Sequence, residues 1–227
     1  MRNLFVRLIL TIWALVLCGR ATAQSTAELF SQLDRAAQSF TGATANIRAI
    51  THTGIINEDE TQIGTLVVKR DPPNELRFLI NFTGRDAQGI ALRGQTVEIY
   101  YPKLNTVRVY NIGKYKDLAQ KLIMLGFGMP GRELAANYDV GNLGSERVDS
   151  ENSLHLQLTP KSQDVLKQLS RVDLWISLKT NCPVQQKFYM PSGDYRLVTY
   201  SDVKVNPAHL PTSALDLPKA AKRERMN

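Results

Sequence analysis

Cysteine is nearly absent from this chain: it holds two, Cys18 and Cys182. Cys18 falls in an N-terminal leader, so the body of the protein keeps a single thiol and no internal disulfide is possible. Stability must then come from a buried apolar core. Histidine is scarce too. His52, His155 and His209 are far apart, and none pairs with another, or with a cysteine, at the spacing of metal ligands. His155 falls on the polar side of its strand and is expected to be exposed. No metal or cofactor site is therefore expected. A nucleophile elbow is missing as well, since Leu143-Gly-Ser-Glu146 lacks the second glycine. Gly126-x-Gly128-x-x-Gly131 matches a dinucleotide-binding pattern by letter. It follows a helical run instead of a strand and carries Pro130, so it reads as a hinge. The acidic run Glu58, Asp59, Glu60 reads as a solvated loop between strands. Nothing here assembles a catalytic constellation, and no enzyme is expected.

Long apolar runs are lacking as well. The longest lies in residues 8–17, after Arg2 and Arg7 and before the small–x–small triplet Ala21-Thr22-Ala23. A membrane span needs ~20 apolar residues, about twice that run. The pattern is that of a secretory signal over residues 1–23, cleaved before Gln24. A lipoprotein acylated at Cys18 is the rival reading, but that processing wants a small residue where Leu17 stands. Arg2, Arg7 and Arg20 leave with the leader, so the formal net charge falls from +7 to +4. A bias this mild permits attraction to anionic lipid surfaces. It lacks the concentrated basic stripe of a nucleic-acid binder, and no nucleic-acid partner is expected. Lys219, Lys222, Arg223 and Arg225, with Glu224 among them, read as a solvated, frayed tail.

What remains, residues 24–227, reads as one domain and as a monomer. Ser25 with Glu28 makes a capping box, and Leu29, Phe30, Leu33, Ala36, Ala37 and Phe40 recur at helical spacing before Gly42. The period then becomes two. Leu66 and Val68 share a face with Arg70, and across the turn Asp71-Pro-Pro-Asn74 so do Phe78 and Ile80. Ile99 and Tyr101, then Val107 and Val109, continue the apolar side, as do Leu156, Leu174 and Ile176 further on. Two more strands are expected near 184–190 and 194–205. Between the two strand groups Leu118, Leu122, Ile123 and Leu125 recur at helical spacing, opposite lysines. Short helices are expected over 132–137 and 161–169. The sum is an α+β protein: an antiparallel meander of about ten strands with one apolar face, and a few helices to cover it. Arg70 is the exception on that face. A guanidinium there either finds buried acceptors or reaches solvent at the strand end, and the pattern alone does not choose.

The order of these features resembles the periplasmic outer-membrane lipoprotein carrier family (LolA-like, sharing its fold with LolB). The resemblance runs through the opening helix, Gly64-x-Leu66-x-Val68-Lys69-Arg70, Gly94-Gln-Thr-Val97, Tyr100-Tyr-Pro102, the leucine-rich stretch 118–125, Leu156-Gln-Leu-Thr-Pro160-Lys161 and Leu215-Asp-Leu-Pro218. It implies a strongly curved, unclosed β-barrel whose concave side is apolar and covered by a lid of short helices. Leu66, Val68, Phe78, Ile80, Ile99, Tyr101, Val107, Val109, Leu156, Leu174 and Ile176 would then line the cavity, with Leu118, Leu122, Ile123 and Leu125 on the lid. By the same resemblance Arg70 is the latch that holds the lid in the empty state. The implied function is periplasmic transport of lipoprotein acyl chains, from an inner-membrane releasing transporter to an outer-membrane acceptor. The sequence departs from the family in three places. Asp71 intervenes in Lys-Arg-Asp-Pro, Val67 stands where many members carry an aromatic residue, and Ser213-Ala214-Leu215 replaces an expected phenylalanine. These departures concern the cargo more than the fold. The alternatives are a carrier of another lipid, or a periplasmic lipid sensor that regulates an envelope stress response through an anti-sigma factor. Sensors of that type usually carry a second domain, for which the length leaves little room.

Overall fold

The structure, a computed structural model, describes residues 26–71 and 75–226. The leader, Cys18, the Gln24 cleavage point, Ser25 of the capping box and residues 72–74 of the first turn lie outside the described residues. Helix α1 (Thr26–Ser39) opens the fold and buries Leu29, Leu33 and Ala37, the stripe its apolar spacing predicts. Strands β1 (Gly42–Thr53), β2 (Glu58–Asp71), β3 (Glu75–Phe82), β4 (Gln88–Arg93), β5 (Thr96–Tyr101) and β6 (Thr106–Asn111) follow as a meander. Helices α2 (Lys116–Met124) and α3 (Gly131–Asn137) interrupt it. Strands β7 (Tyr138–Val148) and β8 (Glu151–Pro160), the short helix α4 (Gln163–Leu166), and β9 (Arg171–Ser177), β10 (Pro183–Tyr189) and β11 (Tyr195–Val205) complete the second half. A last strand, β12 (Lys222–Met226), ends the described chain.

All the described strands form one sheet in the order β12-β6-β5-β4-β3-β2-β1-β11-β10-β9-β8-β7. The β1–β11 pairing joins the two meanders, and the edge strands β12 and β7 do not meet. The result is the expected α+β architecture, a curved, unclosed half-barrel with short helices on it. Register shifts between Thr44 and Asn46, Asn142 and Gly144, and Pro183 and Gln185 supply bulges, which raise local twist and bend a strand. Gly64 lets β2 lie close against β3: a Cβ there would lie 2.1 Å from the Asn81 carbonyl oxygen.

Three apolar clusters hold the fold. On the concave face of β8 and β9, Leu154, Leu156, Leu158, Val172, Leu174 and Ile176 pack under Leu29 and Leu33 of α1 and under Leu125, Met129 and Leu134. On the concave face of β1–β4, Ile47, Leu66, Val68, Phe78 and Leu92 pack with Phe40 and Phe127. The third cluster lies on the convex face, where Leu215, Leu217 and Ala221 cover Leu79, Ala91 and Val107. Cys182 is buried in the second cluster, and burial pushes its thiol up to about 12.

The described residues form twelve strands, in keeping with the ten or so expected; β1, β4, β7 and β12 carry weaker alternation than their neighbours. Several expectations are corrected. Glu58, Asp59 and Glu60 are not a loop. They begin β2 and pair with Thr53, His52 and Thr51, the hairpin closing through Asn57 at φ 52°, a left-handed conformation asparagine tolerates. His155 is not solvated: its ring stacks on Trp175 at 4.1 Å and its Nδ1 lies 3.1 Å from a Glu146 carboxylate oxygen. The helix expected over 161–169 contracts to Gln163–Leu166.

The basic tail is not frayed. Lys222–Met226 pairs in parallel with β6. Arg223 Nη1 lies 2.9 Å from Glu98 Oε1, a carboxylate otherwise buried on the convex face. Upstream, Arg93 Nη2 donates to the Leu215 carbonyl at 2.8 Å and lies 2.9 Å from Asp216 Oδ1. The segment is thus a clasp over the convex face. Leu215, 1% exposed, is its anchor, and Leu215→Ala is expected to lower stability by ~2–5 kcal/mol. Urea denaturation monitored by tryptophan fluorescence measures this, and a loss under about 0.5 kcal/mol, the range of a surface substitution, would show that the clasp adds nothing to the core.

Candidate functional site

The concave face is not filled throughout. A cavity of about 350 Å³ lies between the sheet and α2. Register dictates which residues reach it. Ile47 on β1 faces Gly64 on β2 and Tyr200 on β11, and Ala49 faces Val198, so these parities share the concave side with Leu66, Phe78, Ile80, Phe82 and Ile90. Ala49 leaves room that a larger side chain would fill. From β10, Gln186 and Phe188 reach the same space, since they pair with Val198 and Arg196. Leu122 and Ile123 of α2 and Phe127 roof it. The lining is overwhelmingly apolar, and water inside it gains few hydrogen bonds, which favours an apolar occupant.

The roof is tied down by polar bonds at two points. Arg70 sits at the end of β2, with its guanidinium turned to the helices. Nη1 donates to the Ala37 carbonyl at 3.0 Å and Nη2 to the Gly128 carbonyl at 2.8 Å. Its ring neighbour is Phe40, 5.4 Å from the guanidinium carbon. Ala37 lies in the last turn of α1, where carbonyls lack helical partners and the dipole favours a cation. Burial lowers the Arg70 pKa, and the nearby Glu133 carboxylate works against that shift; an arginine stays charged regardless. Gly128 has φ +69°, and a Cβ there would lie 2.4 Å from Phe40 Cδ1. Glycine lets the loop after α2 come within reach of Arg70. The second tie is Gln186, which donates through Nε2 to the Leu125 carbonyl at 2.5 Å and accepts from the Tyr200 hydroxyl at 2.5 Å. Burial raises the Tyr200 pKa, so its hydroxyl stays a donor.

The expected site residues fall into five groups. Leu66, Phe78, Ile80, Leu122 and Ile123 line the cavity together. Val68, Leu156, Leu174, Ile176 and Leu125 are fully buried, within or beside the two concave clusters. They form the packed floor and flank of the site. Ile99 shares the concave parity, pairing with Ile90, but lies with Tyr101 outside the cavity lining. Its neighbour on β6 is Arg108, whose guanidinium carbon sits 5.1 Å from the Tyr101 ring. Leu118 faces a separate groove shared with Tyr115 and Val165. Val107 and Val109 are corrected outright. They lie on the convex side, Val107 buried under the C-terminal clasp and Val109 packed against that cluster. On β6 the valines alternate with Arg108 and so mimic an inner face, because the clasp makes the convex side apolar as well.

Sequence reasoning missed Ile47, Phe127, Gln186, Phe188, Arg196 and Tyr200. The alternation of 184–188 and 196–200 was visible, but no local signal says that these strands face β3 across the sheet. Among the described residues no group of three His, Cys, Asp or Glu side chains is placed to hold a metal ion, and no helix is long and apolar enough to cross a membrane.

No family model and no curated protein matches the sequence. Solved structures match the fold. An uncharacterized conserved protein from Thermus thermophilus superposes with a TM-score of 0.53 at 15% identity, over 89% of this chain and 100% of that one. MucB superposes with a TM-score of 0.55 at 12% identity, over 87% of this chain and 64% of that chain. The Pseudomonas aeruginosa MucA/MucB complex matches with a TM-score of 0.50 at 12% identity, over 87% and 62%. This chain thus spans less than two thirds of the MucB chain. At such identities the likeness is one of fold alone, that of the curved, unclosed half-barrel.

Proposed function

We propose that this protein is a periplasmic carrier that shields acyl chains of lipoproteins, or of another lipid, and moves them between the inner and outer membranes. One observation carries the reading: an apolar cavity of about 350 Å³ roofed by a short helix that a few polar bonds hold down. Burying a methylene is worth ~0.8 kcal/mol, so an acyl chain gains strongly by entering. Release needs a roof that can lift, and bonds from Arg70 and Gln186 to backbone carbonyls are few enough to break and remake. Arg70 acts as the latch of the closed state. No covalent chemistry is required of such a device. In this reading an inner-membrane transporter loads the cavity and an outer-membrane acceptor empties it.

The test is to purify the exported protein from its native envelope and identify copurifying lipids and lipoproteins by mass spectrometry. Acylated lipoproteins in stoichiometric amount are expected, on a chain whose N-terminus is Gln24. Recovery of the protein without any acylated species, or with an acylated N-terminus at Cys18, would overturn the soluble-carrier reading.

A second reading, a lipid sensor that passes its state to another protein, draws on the fold shared with MucB, which has been crystallised with MucA. It differs from a carrier in one measurable respect. A sensor's affinity for its protein partner changes when the cavity is loaded, and no transfer to an acceptor follows.

A further inference from the structure

Arg196 is the single charged side chain among the residues lining the cavity. It lies on β11 with concave parity, two residues before Val198, and pairs across the sheet with Thr51 of β1 and Phe188 of β10. Among the described residues its guanidinium has no hydrogen-bonding or ion-pairing partner. Its contact is the Phe82 ring, with the guanidinium carbon 5.8 Å from the centroid. Arg70 differs in this respect, since both of its terminal nitrogens are taken up by carbonyls.

Placing a cation beside Phe82, Phe188 and Val198 without acceptors costs free energy, because the charge leaves water and gains no hydrogen bond in return. Burial lowers the Arg196 pKa, with partial relief from Tyr200 and Glu60. A leucine would pack in the same place without that cost. The position along the cavity gives the cation a use. Thr51, its neighbour on β1, pairs on the other side with Glu60 of β2, which is exposed. Arg196 therefore marks the rim where the apolar lining gives way to water, at the end remote from Arg70. Inward of it, Val198, Ile47 and Phe78 lead towards Leu122 and Phe127. A ligand with one charged end and one apolar tail fits this order, and the guanidinium offers a planar fork of donors to an oxyanion.

We propose that Arg196 binds the anionic head of a single-chain amphiphile, a fatty carboxylate or an acyl phosphate monoester, whose tail occupies the cavity. The inference rests on the carrier reading and narrows its cargo. The volume of about 350 Å³ stands at the low end of ligand pockets, which run to about 1,000 Å³, and so suits one chain.

The test uses the full mature protein with two fluorescent probes of equal tail, cis-parinaric acid and its methyl ester. A charge-assisted contact predicts that the acid binds at least about tenfold more tightly than the ester. Arg196→Gln is expected to remove that preference by weakening the acid alone, and Arg196→Lys to retain part of it. Displacement of the bound acid by palmitate and by palmitoyl lysophosphatidate then separates the two head groups. The tighter competitor identifies the oxyanion, and either order supports an anionic head. Equal binding of acid and ester by the wild type overturns the inference while leaving the carrier reading intact, because the ester reports on the cavity alone. Equal weakening of both probes in Arg196→Gln also overturns it and makes Arg196 a packing residue. If neither probe binds the wild type, the carrier reading fails and this inference fails with it.

Discussion

Replacing Arg70 with leucine is expected to tighten binding of a neutral acyl probe by about ten- to a hundredfold and to slow transfer of the probe to acceptor membranes. The reason is that Arg70 stabilises the closed, empty protein. Its two bonds, to Ala37 and Gly128, join α1 and the loop after α2 to the end of β2. Bonds from a charged donor contribute ~1.5–3 kcal/mol each. A ligand that lifts the roof must break them, and its apparent affinity falls by the fraction of protein that is closed. The net change is smaller than the sum of two bonds, since the freed carbonyls gain water in the open state. The rival role, contact of Arg70 with an anionic head group, predicts the opposite sign: weaker binding confined to anionic probes. Measuring dissociation constants for cis-parinaric acid and its methyl ester with both proteins separates the two. Weaker binding of the acid alone would discard the latch, and no change with either probe would show that the bonds to Ala37 and Gly128 do not hold the roof against the ligand. The geometry favours the latch, because the donors of Arg70 are occupied while those of Arg196 are free.

The other large effect is expected at the roof. Leu122 of α2 is partly buried, lines the cavity and touches the first concave cluster. In Leu122→Asp a carboxylate replaces an apolar contact with the ligand. Probe affinity should fall by roughly a hundredfold, the sum of a lost apolar contact and a charge set against an acyl chain. Stability should fall much less, because Leu122 is only partly buried and also borders the outer groove beside Leu118 and Val165, where a carboxylate can stay hydrated. Parallel titration with the parinaric ester and thermal melting decide the matter. Wild-type affinity in a folded variant would show that α2 does not cover the ligand. Unfolding at room temperature would show that Leu122 belongs to the core.

Much of the fold was legible in the sequence for a simple reason. A strand with one wet and one dry face writes a period of two, and a helix lying on that face writes a period near 3.6. Leu66, Val68, Phe78 and Ile80, and separately Leu156, Leu174 and Ile176, carry the first signal clearly. Leu29, Leu33 and Leu122 carry the second. Errors came where both faces of a strand are covered. On β6, Val107 and Val109 alternate with Arg108 and look like an inner face, yet they lie on the convex side, where the clasp containing Leu215 and Leu217 reaches. The acidic start of β2 and the basic β12 were misread for a related reason. Strand pairing satisfies backbone groups whatever the side chains are, so charged residues such as Glu58 and Arg225 can extend a sheet without any apolar pattern to announce it.

The sequence by itself determined that this is an α+β protein with a largely antiparallel sheet, an apolar face, helices to cover it and an arginine set among that face's residues. Cys182 is a free, buried thiol among the described residues. Only the tertiary structure decided where the apolar face is packed solid and where it is hollow. Ala49, Phe127 and Tyr200 come from distant parts of the chain, and the space between them exists only once β1 has paired with β11. The same holds for the polar ties. Gln186 reaches the Leu125 carbonyl, and Arg70 the Gly128 carbonyl, because the sheet curves under α2, and among the described residues the Arg196 guanidinium is left without a hydrogen-bond acceptor. Periodicity reports that a residue has an inside and an outside; which groups meet there is set by long-range pairing, and that is a property of the whole chain.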